Sequence, residues 1–202
     1  MKGLTKIKIC GLFRPQDIVA VNKAGPDFIG FVFAKSRRQV TVDQARQLRA
    51  LLSPDIAVVG VFQNAAPDLI LQITKQEIID LVQLHGGEDE NYLRYIREKS
   101  GKPVIKAISV SCPKDLEMWQ DSAADYLLLD HGSGGTGQTF DWRQIGESHK
   151  PFFLAGGLNA KNIRRAINKT RPFGVDISSG AETDGQKDPE KIHDIIRRLR
   201  NA

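Results

Sequence analysis

The sequence predicts an α/β protein with one domain, a closed (β/α)8 TIM barrel that spans residues 1–202. Eight short apolar stretches each run into a stretch of helical pattern. The repeat is about 24 residues, which is too long for a hairpin array and suits βα units. Most of the apolar stretches are continuous rather than alternating, as in parallel strands buried on both faces. An open doubly wound sheet shares these features, and the count of eight favours the barrel.

The predicted elements alternate along the whole chain. The strands are expected at residues 6–10, 28–33, 57–62, 79–84, 103–109, 125–130, 151–155 and 172–177. The helices are expected near residues 15–24, 43–52, 67–75, 89–100, 113–121, 141–147, 159–169 and 188–200. Start signals precede several helices, namely Pro67-Asp68, Asn159 and Asp188-Pro189. No linker or low-complexity segment divides the chain, which predicts one domain.

Composition and charge argue against several classes of protein. Hydrophobic residues make up 41% of the chain and charged residues 26%, as in an ordinary globular domain. No apolar run approaches the roughly 18–20 residues of a membrane span, and no signal-peptide core is present, so we expect a cytoplasmic protein without a membrane partner. The net charge of +5 is compatible with an anionic ligand and also with a well-solvated surface, because Lys and Arg are spread along the helices. The basic patches at 35–38 and 195–200 lack interleaved aromatic residues, which argues against nucleic-acid binding.

Two of the predicted strands end on a reactive residue. KIKIC ends on Cys10 and YLLLD ends on Asp130. A closed barrel gathers all its strand ends at one mouth, so the thiol and the carboxylate would share that mouth. The plainer interpretations are a small buried hydrophobic residue for Cys10 and a helix-capping or loop-ordering carboxylate for Asp130. The sharper ones are a thiolate base or nucleophile, favoured by Lys8 and nearby anion-binding turns, and a general acid whose pKa rises in a dry mouth.

The second cysteine, Cys112, lies in a loop and has no recognisable polar partner in the sequence. We expect it to be incidental. Two cysteines do not form a disulfide framework, and nothing in the sequence suggests export.

Three turns rich in glycine and serine lie at predicted strand ends. Such turns let backbone amides approach an anion closely. Two of them follow strands seven and eight, where barrels of this kind frequently bind phosphate. The candidate phosphate-binding residues are Gly134 and Gly135 in GSGGTG, Gly156 and Gly157 in AGG, and Ser178, Ser179 and Gly180 in DISSG. GSGGTG lacks the βαβ context of a dinucleotide fingerprint.

Other polar residues follow the strands. Arg37 and Arg38, after strand two, form either a solvated basic loop or a guanidinium fork for a carboxylate. His85 either faces the pocket or caps the next helix, and Asp176 has the same two interpretations as Asp130. The four histidines are scattered, and no His, Cys or carboxylate spacing matches a metal site, so we expect no metal.

Several motifs together resemble the phosphoribosylanthranilate isomerase family of the tryptophan pathway. The matching stretches, in the family's order, are KIKICG, GFVFAKSRR, VGVF, VQLHG, VIKA, LLLD with GGTGQTFDW, LAGGLNAKNI and PFGVDISSG. The resemblance implies the Amadori rearrangement of N-(5′-phosphoribosyl)anthranilate to 1-(2-carboxyphenylamino)-1-deoxyribulose 5-phosphate, without a cofactor. It implies that Cys10 is the general base and Asp130 the general acid. It also places Arg38 near the anthranilate carboxylate, the glycine and serine turns at the phosphate, and His85 and Asp176 in the pocket.

The departures from the family pattern are small, and two rival functions stay open. Gln138 stands where many members carry Lys, and Lys35 lacks the Pro that precedes it in many relatives. A histidine-pathway ProFAR isomerase would be expected to carry an aspartate in place of Cys10. A flavin-phosphate-binding barrel would explain the glycines but not the pair of Cys10 and Asp130. A monomer and a homodimer are both compatible with the sequence.

Overall fold

The fold is a closed barrel of parallel strands, seen in a computed structural model that describes residues 4–130 and 142–200. Each strand pairs with the next along the chain, and the last pairs with the first. The prediction of a (β/α)8 barrel is confirmed. The strands are β1 (Lys6–Cys10), β2 (Phe28–Val32), β3 (Ala57–Phe62), β4 (Leu81–Leu84), β5 (Val104–Ser109), β6 (Tyr126–Asp130), β7 (Phe152–Leu154) and β8 (Gly174–Ile177).

Alternation along the strands produces two apolar layers. One layer packs between the strands and the helices, and it includes Ile7 and Ile9 of β1. The other fills the barrel interior, and it includes Cys10. Near the amino ends of the strands this interior is closed by aromatic rings, with Phe153 5.6 Å from Phe28 and 5.3 Å from Phe173 between ring centroids. The barrel interior therefore has room for a polar site only near the carboxyl ends of the strands.

Helices pack around the strands and cover the outer layer. They are α1 (Pro15–Ala24), α2 (Val42–Leu51), α3 (Pro67–Lys75), α4 (Glu90–Ser100), α5 (Pro113–Glu117), α6 (Ile163–Thr170) and α7 (Pro189–Arg200). Pro67 begins α3 as predicted. Asp188 Oδ1 accepts hydrogen bonds from the amides of Glu190 (3.0 Å) and Lys191 (3.3 Å), so its predicted role at the start of α7 is confirmed.

Three predictions of local structure are wrong. The helix expected at 159–169 begins only at Ile163, because Asn159 accepts a hydrogen bond from the amide of Lys161 (2.9 Å) and orders the preceding turn instead. The helix expected at 113–121 ends at Glu117, after which the chain tightens into turns. In the described part of the stretch at 141–147, the chain forms only a 3-10 turn, at Trp142–Gln144.

A short hairpin after β8 was not predicted. Its strands are β9 (Glu182–Thr183) and β10 (Gln186–Lys187), which pair antiparallel. The turn residues Asp184 and Gly185 have φ angles of 50° and 78°. An Asp-Gly pair suits two successive left-handed residues, so this sequence signal was present.

Candidate active site

A cavity of about 320 Å³ opens at the carboxyl ends of the strands. Each predicted site residue within the described part of the chain lies on its wall, whereas Gly134 and Gly135 lie outside the described residues. The lining residues that were predicted are Cys10, Arg38, His85, Asp130, Gly156, Gly157, Asp176, Ser178, Ser179 and Gly180.

Cys10 is the last residue of β1, and its side chain points into the barrel. It is only 8% exposed. Gly30 on β2 makes room for the thiol, since a Cβ at that position would lie 2.7 Å from Sγ. Lys8 lies two residues earlier on the same face of β1, is wholly buried, and pairs with Asp176 at 3.0 Å between Nζ and Oδ1. The candidate base therefore adjoins a buried ion pair.

Burial raises the pKa of the Cys10 thiol, and Lys8 and Lys187 only partly offset this effect. Desolvation is thus the larger effect on the thiol, and the predicted influence of Lys8 acts against it. For Lys8, burial lowers the pKa, but Asp176 and Cys10 raise it, and the net shift is upward. Lys8 stays an ammonium, and a buried thiolate formed beside it would be a strong base.

Asp130 ends β6 and is 7% exposed. The nearest described imidazole is that of His85, whose Nε2 lies 3.7 Å from Asp130 Oδ2. Burial lowers the pKa of His85, against an opposing effect of Asp130, so the ring is neutral near pH 7. Gln83 Nε2 lies 3.0 Å from His85 Nδ1. This contact orients the imidazole and leaves Nε2 facing Asp130.

Arg38 lies in the loop after β2 and reaches over β1 to the hairpin. Its aliphatic chain crosses Gly11, where a Cβ would lie 2.4 Å from Arg38 Cδ and where φ is 82°. Arg38 Nε and Nη2 donate to the two oxygens of Glu182 at 2.7 and 2.9 Å. Arg38 is 11% exposed and Arg37 56%. The solvated-loop interpretation therefore does not fit Arg38, whereas Arg37 is largely exposed although its Nη2 also donates to Glu182.

The turns after β7 and β8 meet at the cavity wall. Gly156 and Gly157 have φ angles of 83° and 60°, which favour glycine. A Cβ at Gly180 would lie 1.9 Å from the carbonyl oxygen of Leu158, so only glycine fits between the two turns. Ser178 Oγ donates to the carbonyl of Cys10 at 3.1 Å and ties the second turn to the end of β1.

Sequence reasoning missed three buried polar residues of this region. Gln83 orients His85, while Glu182 and Lys187 hold the loops near Arg38. The Asp-Gly turn between Glu182 and Lys187 was the available signal for the hairpin that carries them. Within residues 4–130 and 142–200, no group of three or more His, Cys, Asp and Glu side chains could hold a metal ion. No helix among them is long and apolar enough to cross a membrane.

Comparisons with known proteins agree with one family. The model of the family described as N-(5'phosphoribosyl)anthranilate (PRA) isomerase matches residues 7–198. The N-(5'-phosphoribosyl)anthranilate isomerase of Endomicrobium trichonymphae is 46% identical over 202 residues, covering 98% of this chain and all of the relative. The crystal structure of phosphoribosyl anthranilate isomerase from Thermus thermophilus is 30% identical, with a TM-score of 0.88 and coverage of 98% and 99%.

A further solved structure contains a ligand. It is a phosphoribosyl anthranilate isomerase in complex with reduced 1-(o-carboxyphenylamino)-1-deoxyribulose 5-phosphate, 34% identical, with a TM-score of 0.84. The match covers 98% of this chain and all of that one. By sequence and by fold, over nearly its whole length, the chain belongs to the N-(5′-phosphoribosyl)anthranilate isomerase family.

Proposed function

We propose that this chain isomerises N-(5′-phosphoribosyl)anthranilate to 1-(2-carboxyphenylamino)-1-deoxyribulose 5-phosphate in tryptophan biosynthesis, with Cys10 as general base and Asp130 as general acid. The observation that carries the proposal is the cavity itself. A thiol from β1 and a carboxyl group from β6 face one enclosed space, which also has an arginine and two glycine turns on its wall. The family's name and the ligand bound in a solved relative support the same substrate.

The proposed chemistry needs one acid and one base. Asp130 gives its proton to the ring oxygen of the ribose, the C1′–O bond breaks, and the anilino nitrogen supplies the electron pair that forms an iminium. The iminium acidifies the C2′ hydrogen, and the Cys10 thiolate removes that proton. The resulting enolamine takes a proton at C1′ and loses its hydroxyl proton to become the ketone. Substrate and product are isomers, so no external oxidant or reductant enters.

Two anchors would hold the substrate across this pair. Arg38 is the proposed partner of the anthranilate carboxylate, for which a guanidinium is well shaped. The turns of Gly156 and Gly157 and of Ser178 to Gly180 are the proposed phosphate site. Anchors at both ends leave the reacting carbons between acid and base, and such positioning accounts for a large part of enzymatic rate enhancement. A cytoplasmic location and a monomeric or homodimeric state stay predictions.

The test is direct turnover of the proposed substrate. Enzymatically generated phosphoribosylanthranilate is fluorescent, and we expect the purified chain to remove this fluorescence while the carboxyphenylamino product accumulates. ProFAR as the substrate serves as a specificity control. If ProFAR is consumed and phosphoribosylanthranilate is not, the histidine-pathway alternative replaces this proposal. A yellow protein that retains flavin phosphate and turns over neither substrate would favour the binding-module alternative.

A further inference from the structure

We infer that Glu182 is a positioning residue for the substrate carboxylate, which it affects by holding the guanidinium of Arg38 in place. This inference rests on the proposed function of the cavity. Glu182 does not line the cavity and lies on β9, outside the barrel strands. Its side chain is only 4% exposed.

The carboxylate of Glu182 collects hydrogen bonds from three cations. Oε1 accepts from Arg38 Nε (2.7 Å) and Lys187 Nζ (2.6 Å). Oε2 accepts from Arg38 Nη2 (2.9 Å) and Arg37 Nη2 (2.6 Å). The several cations around it lower the pKa of Glu182, although burial alone would raise it. Glu182 is therefore an anion at neutral pH, and two guanidinium groups and the Nζ of Lys187 share it.

The geometry of the Arg38 fork decides which of its edges is left for a ligand. A guanidinium has five N–H groups, and the edge formed by Nε and Nη2 faces Glu182. Among the described residues, none accepts a hydrogen bond from Nη1. The two-point contact fixes the plane of the guanidinium. The remaining edge, which carries Nη1, therefore has one fixed orientation at the wall of the cavity. Fixing a long side chain before binding removes part of the entropy loss that binding would otherwise cause.

The same carboxylate links two loops that are distant in sequence. Glu182 and Arg38 are 144 residues apart, and the hairpin must fold over β1 for them to meet. Lys187 also donates to the carbonyl of Ser178 at 3.1 Å. The carboxylate anchor and the phosphate turn therefore share one support, and the test must separate an effect on Arg38 from an effect on the turn.

The test compares two ligands in Glu182→Gln. The first is reduced 1-(o-carboxyphenylamino)-1-deoxyribulose 5-phosphate, and the second is the same molecule without the ring carboxylate. We expect the affinity for the first ligand to fall about fivefold to thirtyfold, the factor that corresponds to about 1–2 kcal/mol. The affinity for the second ligand should stay within about twofold. KM for phosphoribosylanthranilate should rise by a similar factor while kcat changes little.

Three variants control this comparison. Asp184→Asn removes one negative charge from the exposed turn of the same hairpin, where asparagine tolerates the left-handed backbone, and it should bind both ligands normally. Glu182→Asp keeps a carboxylate and should recover part of the lost affinity, and it replaces Glu182→Gln if that variant does not fold. The third variant is Arg38→Met. Adding Glu182→Gln to it should cause no further loss of affinity for the carboxylated ligand.

The outcomes separate the two proposals. Two results would overturn the positioning role of Glu182. One is an equal loss of affinity for both ligands, and the other is a pair of losses that add in the double variant. Either would mean that Glu182 affects ligand binding by a route other than Arg38. If the unaltered chain fails to turn over phosphoribosylanthranilate, the proposed function itself is wrong.

Discussion

The two sides of the cavity hold their reactive groups by different means. On the β1 side, Cys10 lies near the ammonium groups of Lys8 and Lys187, each held by a carboxylate. On the β6 side, Asp130 has the neutral imidazole of His85 beside it. The roles proposed for the two residues fit this difference. A general base must become an anion, which fixed cations favour, whereas a general acid must keep its proton until the substrate arrives, and a neutral imidazole does not oppose that.

The largest effect is expected from removing the candidate base on the β1 side. Cys10→Ala should lower kcat about 10³-fold, within the range for losing a general base, because no other described thiol lies at the cavity. Affinity for the reduced product analogue should persist, since no anchor is lost. Cys112→Ser is the matched control, because Cys112 is exposed and away from the cavity, and it should behave like the unaltered chain. Loss of activity in Cys112→Ser would refute the assignment of Cys10 as the base.

Removing the reactive group of the second side should have a somewhat smaller effect. Asp130→Asn keeps the size of the side chain and removes its transferable proton, so we expect kcat to fall about 10²-fold or more, with KM nearly constant. Initial rates across substrate concentrations measure both constants. Asp125→Asn serves as a control for the same change outside the cavity, although it also removes an ion pair with Arg97 and should lower thermal stability. Full activity of Asp130→Asn would transfer the acid role to Asp176.

An anchor should behave differently from either reactive group. Arg38→Met removes a charge-assisted contact worth about 1.5–3 kcal/mol, so KM should rise roughly tenfold to a hundredfold with a lesser change in kcat. Arg46→Met removes an exposed arginine on α2 and should leave KM unchanged. An unchanged KM in Arg38→Met would mean that the carboxylate binds elsewhere on the cavity wall.

The sequence predicted the strands and most of the site because both depend on local patterns. Continuous apolar runs identify strands buried on both faces, and a residue that ends such a strand, like Cys10 or Asp130, must lie at the mouth of a closed barrel. Glu182 was missed because its role exists only after the hairpin brings it to a residue far away in sequence. The upward pKa shift of Cys10 was missed for a similar reason, since burial is a property of the whole fold.

The smallest effect is expected from variants that test whether fixed cations tune the pKa of Cys10 on the β1 side. Burial raises the pKa of Cys10 above its ordinary value, and in the ordinary order of a thiol and a carboxyl group the ionisation of the thiol forms the alkaline limb of kcat/KM. Between the two pKa values the fraction of molecules with a thiolate and a neutral acid is constant, and it falls tenfold for each unit by which the thiol pKa rises. Lys8→Met removes a cation that lowers this pKa, so the alkaline limb should move to higher pH and the plateau should fall by roughly tenfold per unit. The double variant of Lys8→Met and Asp176→Asn also removes an anion that raises the pKa of Cys10. Its alkaline limb should therefore lie between those of the unaltered chain and Lys8→Met. A limb that stays in place in both variants would show that Lys8 holds the fold together without tuning the base.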